Sequence, residues 1–132
     1  FLQLFRRPGD YMGGTWQTVR GAIEAHETAP QAALRELREE TGLAPVEFYA
    51  LSSIDSFYTA ISDTIWHCPV FFALAGRDEQ IRLNDEHDDF RWIAADRIDA
   101  SFMWAREREL IREIMREILG GGLCKPHLLM RR

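Results

Sequence analysis

The chain has 132 residues, 46% of them hydrophobic, which suits one globular domain with a real core. A formal net charge of −5 argues against a general binder of nucleic-acid polymers, yet a small phosphorylated ligand stays open because a bound metal supplies positive charge locally. No apolar run approaches the ~20 residues that span a bilayer, no signal-like segment begins the chain, and Cys68 and Cys124 fit neither a metal spacing nor a disulfide framework, so a reduced, cytoplasmic protein without membrane segments is expected.

In chain order, Phe1 to Phe5 alternates like a strand and ends at the turn signal Pro8-Gly9. Thr15 to Ile23 is a second extended stretch that delivers the chain to an acidic helix. Thr28 with Gln31 three residues later is a capping-box pattern, and Pro30 suits a first helical turn. The helix is predicted from Ala29 to Thr41, with Gly42 as a left-handed stop. Ala33, Leu34, Leu37 and Thr41 fall on one side as an apolar stripe, while Glu36, Glu39 and Glu40 fall together on another. Val46 to Tyr58 and Ile65 to Leu74 are β-rich around a polar loop at Ser62-Asp63. Ile81 to Leu83 and Phe90 to Ile93 are expected as short strands flanking 84–89. Trp104, Leu110, Ile111, Ile114, Met115 and Ile118 give helical periodicity from about Met103 to Leu119, where Gly120-Gly121-Gly122 stops it. The expected organisation is a single domain over 1–119 and a tail over 120–132 without an assigned structure. The fold class is α/β in the α+β sense, a mixed β-sheet with helices on two faces.

Like charges three and four residues apart cost about 0.2–0.5 kcal/mol per pair in a bare helix. A hard divalent cation removes that repulsion, and Mg2+ prefers carboxylate oxygens together with water and substrate phosphate. The competing reading is a solvated charged face, in which Arg35 pairs with Glu39 across one turn and Arg38 screens the rest. Arg6, Arg7 and Arg20 lie near this region and could clamp phosphates, or simply make a polar strand end. Phe57, Tyr58 and Trp66 could stack on a base, or pack as strand aromatics.

The whole run from Gly21 to Leu43 reads G-x5-E-x7-R-E-U-x-E-E-x-G-U, with U aliphatic and every specified position filled. It resembles the signature of the Nudix hydrolases, which cleave diphosphate linkages in nucleoside diphosphates joined to a further group. A merely solvated face requires neither Gly21 nor Glu27. The resemblance implies the Nudix-type α/β/α sandwich, with a further strand before Phe1 that this numbering lacks. It implies that Glu36, Glu39 and Glu40 hold Mg2+, with Mn2+ as a substitute, and that Glu36 orients or deprotonates the attacking water. Gly21 offers its backbone carbonyl to the same metals, and Glu27 and Arg35 pair to lock the loop onto the helix. Many members carry glycine where His26 stands. A positive φ is uncomfortable there, though His tolerates it better than most residues.

The wider run Trp16 to Gly21, with Glu27 to Ala33, is similar to the branch acting on nucleoside triphosphates such as dATP and on dihydroneopterin triphosphate. In that branch a loop glutamate reaches the metal site, which implies a catalytic role for Glu86, with His87 packing the loop. The partner implied is a small phosphorylated nucleotide or pterin, with no nucleic-acid polymer and no membrane; a homodimer is left open. ADP-ribose and dinucleoside polyphosphates are alternative substrates. A Nudix-fold sensor that binds without cleaving is the rival of another class, and the intact carboxylates argue against it.

Overall fold

In the computed structural model, residues 1–131 are described; the last residue of the expected tail 120–132 lies outside the described residues. The first strand, β1 (Leu2–Arg6), pairs antiparallel with the short β2 (Trp16–Gln17) on one side. The stretch expected as extended through Ile23 is thus a strand over two residues only, and Thr18 to Glu24 carries no regular structure. The long helix α1 spans Ala29–Thr41, as its cap and stop signals predict. Gln31 Oε1 accepts the Thr28 backbone N–H at 2.8 Å, and Gly42 ends the helix at φ 75° with its N–H bonded to the Arg38 carbonyl.

Two further strands, β3 (Glu47–Thr59) and β4 (Thr64–Leu74), form an antiparallel hairpin whose turn includes Asp63 at positive φ. The last strand, β5 (His87–Trp92), lies antiparallel to β1 and completes a three-stranded sheet in the order β2-β1-β5. Every described pairing between strands is antiparallel, in sheets of three and two strands, and with the helices this gives an α+β protein. Ile81 to Leu83 is not a strand; the Arg82 N–H is donated to the Thr41 carbonyl at 2.7 Å and closes the end of α1 instead.

Two compact units are distinguished. The first, Phe1–Val46 with Ala75–Phe102, holds the three-stranded sheet, α1, a 3₁₀ turn (Ala95–Arg97) and the short helix α2 (Ile98–Ser101). Its buried residues include Gln3, Leu4, Ala32, Thr41, Leu43, Ile98 and Phe102. Gln3 is fully buried yet satisfied, donating to the Ser101 carbonyl at 3.0 Å and accepting from Arg91 Nε at 2.8 Å. Within α1 the buried positions are Ala32, Glu40 and Thr41, while Ala33, Leu34 and Leu37 are only half-buried. The C-terminal end of α1, with Glu40 and Thr41, is therefore deeply buried, and a carboxylate is among its innermost side chains.

The second unit, Glu47–Leu74 with the chain from Met103 onward, packs the β3–β4 hairpin with α3 (Ala105–Glu113), which continues as π-helical turns over Ile114–Leu119. Leu110, Ile111, Ile114 and Ile118 are buried as their spacing predicts, but Trp104 precedes the helix and stays half-exposed. The tail carries a last short helix, α4 (Lys125–Leu128), and then returns to β3. There Leu129 bridges Tyr49, and the Met130 N–H donates to the Phe48 carbonyl at 2.8 Å. Among the described residues no helix is long and apolar enough to cross a membrane.

Candidate active site

The site is built within the first unit from four short pieces of chain. The end of β1 supplies Arg6 and Arg7, the irregular stretch after β2 supplies Arg20 and Gly21, α1 supplies the carboxylates, and the loop before β5 supplies Glu86. The loop before α1 is a tight turn: the Glu27 N–H donates to the Glu24 carbonyl at 3.2 Å, and the Glu24 N–H donates to Glu27 Oε2 at 3.0 Å. His26 sits in that turn at φ 66°, the left-handed conformation expected to be uncomfortable for a residue with a Cβ.

Arg35 ties this turn to the helix. Its Nε and Nη2 donate to the two oxygens of Glu27 at 2.8 and 3.1 Å, and Nη2 also donates to the Ala22 carbonyl at 3.0 Å. Its Nη1 donates to Glu36 at 2.7 Å and to Glu39 at 3.1 Å. One guanidinium thus joins three of the motif's carboxylates, and the fork geometry suits this because its donors diverge in one plane. The bond to Glu27, followed by that to Glu36, raises the Arg35 pKa. The same bond to Arg35, helped by the Glu24 N–H, holds the Glu27 carboxyl below its usual range.

Gly21 leaves no room for a side chain. A Cβ built there would stand 2.0 Å from Glu36 Cδ and 2.1 Å from its Oε1. The backbone at Gly21 and the Glu36 carboxylate are therefore in direct apposition, a contact that any L side chain would push apart.

Glu40 is the buried member of the set, only 3% exposed. Its Oε2 is enclosed and has no hydrogen-bond partner, while the Arg20 backbone N–H bonds to the carboxylate. Burial, then the charges of Glu36 and Glu86, push its pKa up to about 8; Arg6 and the Arg20 N–H pull the other way. Arg20 thus meets the site through its backbone. Arg6 reaches Glu86, with Nη1 to Oε2 at 2.7 Å, whereas Arg7 pairs with Asp88 at 2.9 Å on an exposed flank.

The Glu86 loop is held by a residue not singled out above. Asn84 Oδ1 accepts the Glu86 N–H at 3.2 Å and lies 3.3 Å from His87 Nδ1. An asparagine two residues ahead of a functional loop position is a turn signal legible in sequence. His87 is buried, and burial first, then Arg6, lowers its pKa, which suits a packing role. Phe57 and Tyr58 belong to the second unit. There Phe57 stacks on its cross-strand neighbour Trp66 with centroids 6.4 Å apart, and the Tyr58 hydroxyl donates to Asp63 at 2.9 Å.

Among the described residues no three acidic, His or Cys side chains converge as a ready ligand set. A hard divalent cation fits nonetheless. Mg2+ is commonly held through one or two carboxylates with substrate phosphate and water completing the shell, not by a full protein cage. The donors present are oxygens. Glu40 offers an enclosed oxygen with no partner, Glu36 lies against the Gly21 backbone, and Glu39 is exposed enough to turn.

The family model described as the NUDIX domain matches residues 2–114. A protein of Myxococcus xanthus named octanoyltransferase is 37% identical over 93 residues, covering 70% of this chain and 26% of that protein. A Mycobacterium tuberculosis protein named putative 8-oxo-dGTP diphosphatase 3 is 32% identical over 89 residues, covering 67% of this chain and 41% of that protein. The chain thus spans less than half the length of these two relatives. Among solved structures, the E. coli dihydroneopterin triphosphate pyrophosphohydrolase superposes with a TM-score of 0.68 at 26% identity, covering 85% of this chain and 82% of that one.

Proposed function

The chain belongs to the Nudix family, and from that membership we propose that it is a metal-dependent pyrophosphohydrolase. It cleaves a diphosphate linkage in a nucleoside-triphosphate-like substrate, a dNTP or dihydroneopterin triphosphate, and releases pyrophosphate. The observation that carries this reading is the enclosed, unpartnered oxygen of Glu40 on the same helix as Glu36, whose carboxylate meets the Gly21 backbone. A buried carboxyl oxygen without a partner is costly, and a cation-binding role accounts for it.

Glu36, Glu39, Glu40 and the Gly21 carbonyl are the residues that would hold Mg2+, or Mn2+ in its place. Such an ion neutralises phosphate oxygens and lowers the pKa of a water. Glu36 orients the attacking water and takes its proton, with Glu86 as the second carboxylate at the site. Water oxygen bonds to phosphorus, the bridging P–O bond breaks, and the products are the monophosphate and pyrophosphate. The Glu27–Arg35 pair keeps the turn docked on α1, so it supports the site without touching substrate. Of the three arginines, Arg6 faces incoming phosphates, while Arg7 stays paired with Asp88 and Arg20 lends its backbone N–H to Glu40. Likeness to a dihydroneopterin triphosphate pyrophosphohydrolase at 26% identity supports the substrate class.

The test is a product screen of the purified protein with Mg2+ against dNTPs, dihydroneopterin triphosphate, ADP-ribose and dinucleoside polyphosphates, read by mass. Pyrophosphate from a triphosphate substrate is expected. Preferential cleavage of ADP-ribose or a dinucleoside polyphosphate would replace the substrate class. Stoichiometric binding without products would replace the enzyme by a sensor.

A further inference from the structure

Arg6 is a fork with one prong used. Its Nη1 donates to Glu86 Oε2 at 2.7 Å, but its Nε is enclosed and has no partner. An enclosed charged donor left unmade costs more than a neutral one, so this posture is unfavourable unless something else takes the donor. The pairing of β1 with β5 shifts register between Phe5 and Arg6, and an irregularity of this kind re-aims the side chain beside it. In the same charge cluster, Glu40 holds an enclosed acceptor that also lacks a partner, and the charges of Arg6 and Glu86 both act on it. The neighbouring Arg7 shows none of this: it is exposed and spends its Nε on Asp88 at 2.9 Å.

We infer that the Arg6–Glu86 ion pair is a latch that couples phosphate entry to cation entry. Resting on the hydrolase reading above, the latch works as follows. Without substrate, Arg6 neutralises Glu86 and keeps it from a cation. A diphosphate offers two oxygens to the guanidinium fork, bidentate where Glu86 is monodentate, and so draws Arg6 away. Glu86, a half-exposed side chain on a loop, is then free to serve the cation with Glu36 and Glu40. Arg6 becomes a substrate-touching residue and Glu86 a conditional one.

The experiment separates the two halves of the coupling by calorimetry on the whole chain, with folding checked by circular dichroism. In EDTA, methylenediphosphonate is the probe. Arg6→Ala should weaken its binding by about tenfold or more, and Arg7→Ala by no more than about twofold. Glu86→Ala should tighten it, because Arg6 is released, and by more than Asp88→Ala, which removes an equal neighbouring charge. With Mn2+ alone and no phosphate, Arg6→Ala should bind the ion more tightly than wild type, again by more than Arg7→Ala. Arg6→Lys, keeping charge without the fork, should recover the wild-type Mn2+ affinity but not the diphosphonate affinity.

Equal shifts for Arg6 and Arg7, or for Glu86 and Asp88, would mean general electrostatics and would overturn the latch. So would a wild-type protein that binds no methylenediphosphonate in EDTA. The hydrolase reading is judged apart from these, by Mg2+-dependent turnover of the wild-type chain.

Discussion

The α-carbon of Gly21 faces the carboxylate of Glu36 so closely that a methyl group on it would fall 2.0 Å from Glu36 Cδ. Gly21→Ala must therefore displace that carboxylate or the backbone opposite. A shift of about 1 Å at a reacting group can cost about 10²-fold in rate, so turnover should fall by roughly that factor. Gly21 is exposed and the displaced group is a side-chain end, so the melting temperature should change little. Parallel kinetics and thermal melts check this; a variant that loses its fold along with its activity would contradict it.

Glu40 links stability to pH with an unusual sign. Its folded pKa is about 8 against an ordinary 4.5. Below 4.5 the carboxyl is protonated in both folded and unfolded chains and carries no penalty. As pH rises from 4.5 to 8 the unfolded chain ionises freely while the folded one holds its proton, so stability falls through that window. Glu40→Gln removes this dependence. In EDTA it should be more stable than wild type at pH 8, by on the order of 1 kcal/mol or more, and the gain should vanish near pH 4.5. The same variant should lose most hydrolytic activity. Urea melts across pH, with turnover measured beside them, decide it.

Arg35 cannot be replaced conservatively. Lysine keeps the charge but offers one point where the fork meets Glu27, Glu36, Glu39 and the Ala22 carbonyl. Arg35→Lys should lower the denaturation midpoint, because hydrogen bonds to charged groups are lost, and lower kcat by loosening Glu36. Chemical denaturation reads the first and steady-state kinetics the second; a variant with unchanged kcat would show that Arg35 does not position Glu36.

His26 holds φ 66° in the turn before α1. A left-handed residue with a Cβ costs about 1–2 kcal/mol, and glycine gives back about 0.5–1 kcal/mol of that through its larger unfolded entropy. His26→Gly should thus melt at the same temperature or slightly higher, and His26→Val distinctly lower. A lower melting point for the glycine variant would mean that the imidazole itself contributes to the turn.

Local signals were legible and long-range ones were not. Thr28, Gln31 and Gly42 fix α1 because each acts within a few residues, whereas the Glu27–Arg35 pair is implied by the resemblance to the Nudix signature. The burial of Glu40 was invisible, since helical spacing groups Glu36, Glu39 and Glu40 without saying which of them faces the interior. Ile81 to Leu83 looks like a strand by composition, but Arg82 spends its N–H on the end of α1, leaving no ladder to join. The π-helical turns after Glu113 and the return of Leu129 and Met130 to β3 depend on packing that sequence periodicity does not encode. The Arg6–Glu86 pair depends on a register shift at the end of β1 and an Asx turn at Asn84, two local irregularities far apart in the chain.

That separation sets an order of assembly. Arg6 and Glu86 are 80 residues apart, whereas the caps of α1 and the Glu27–Arg35 clasp close over eight or fewer. Local contacts form before distant ones because closing a long loop costs entropy before it gains contacts. On the ribosome, the acidic helix can form while β5 is still unmade, and the three glutamates then stand together with Arg6 already made but without the Glu86 loop that completes their surroundings. A nascent or truncated chain ending before His87 would carry the whole signature and still lack the strand that joins the two ends of the site.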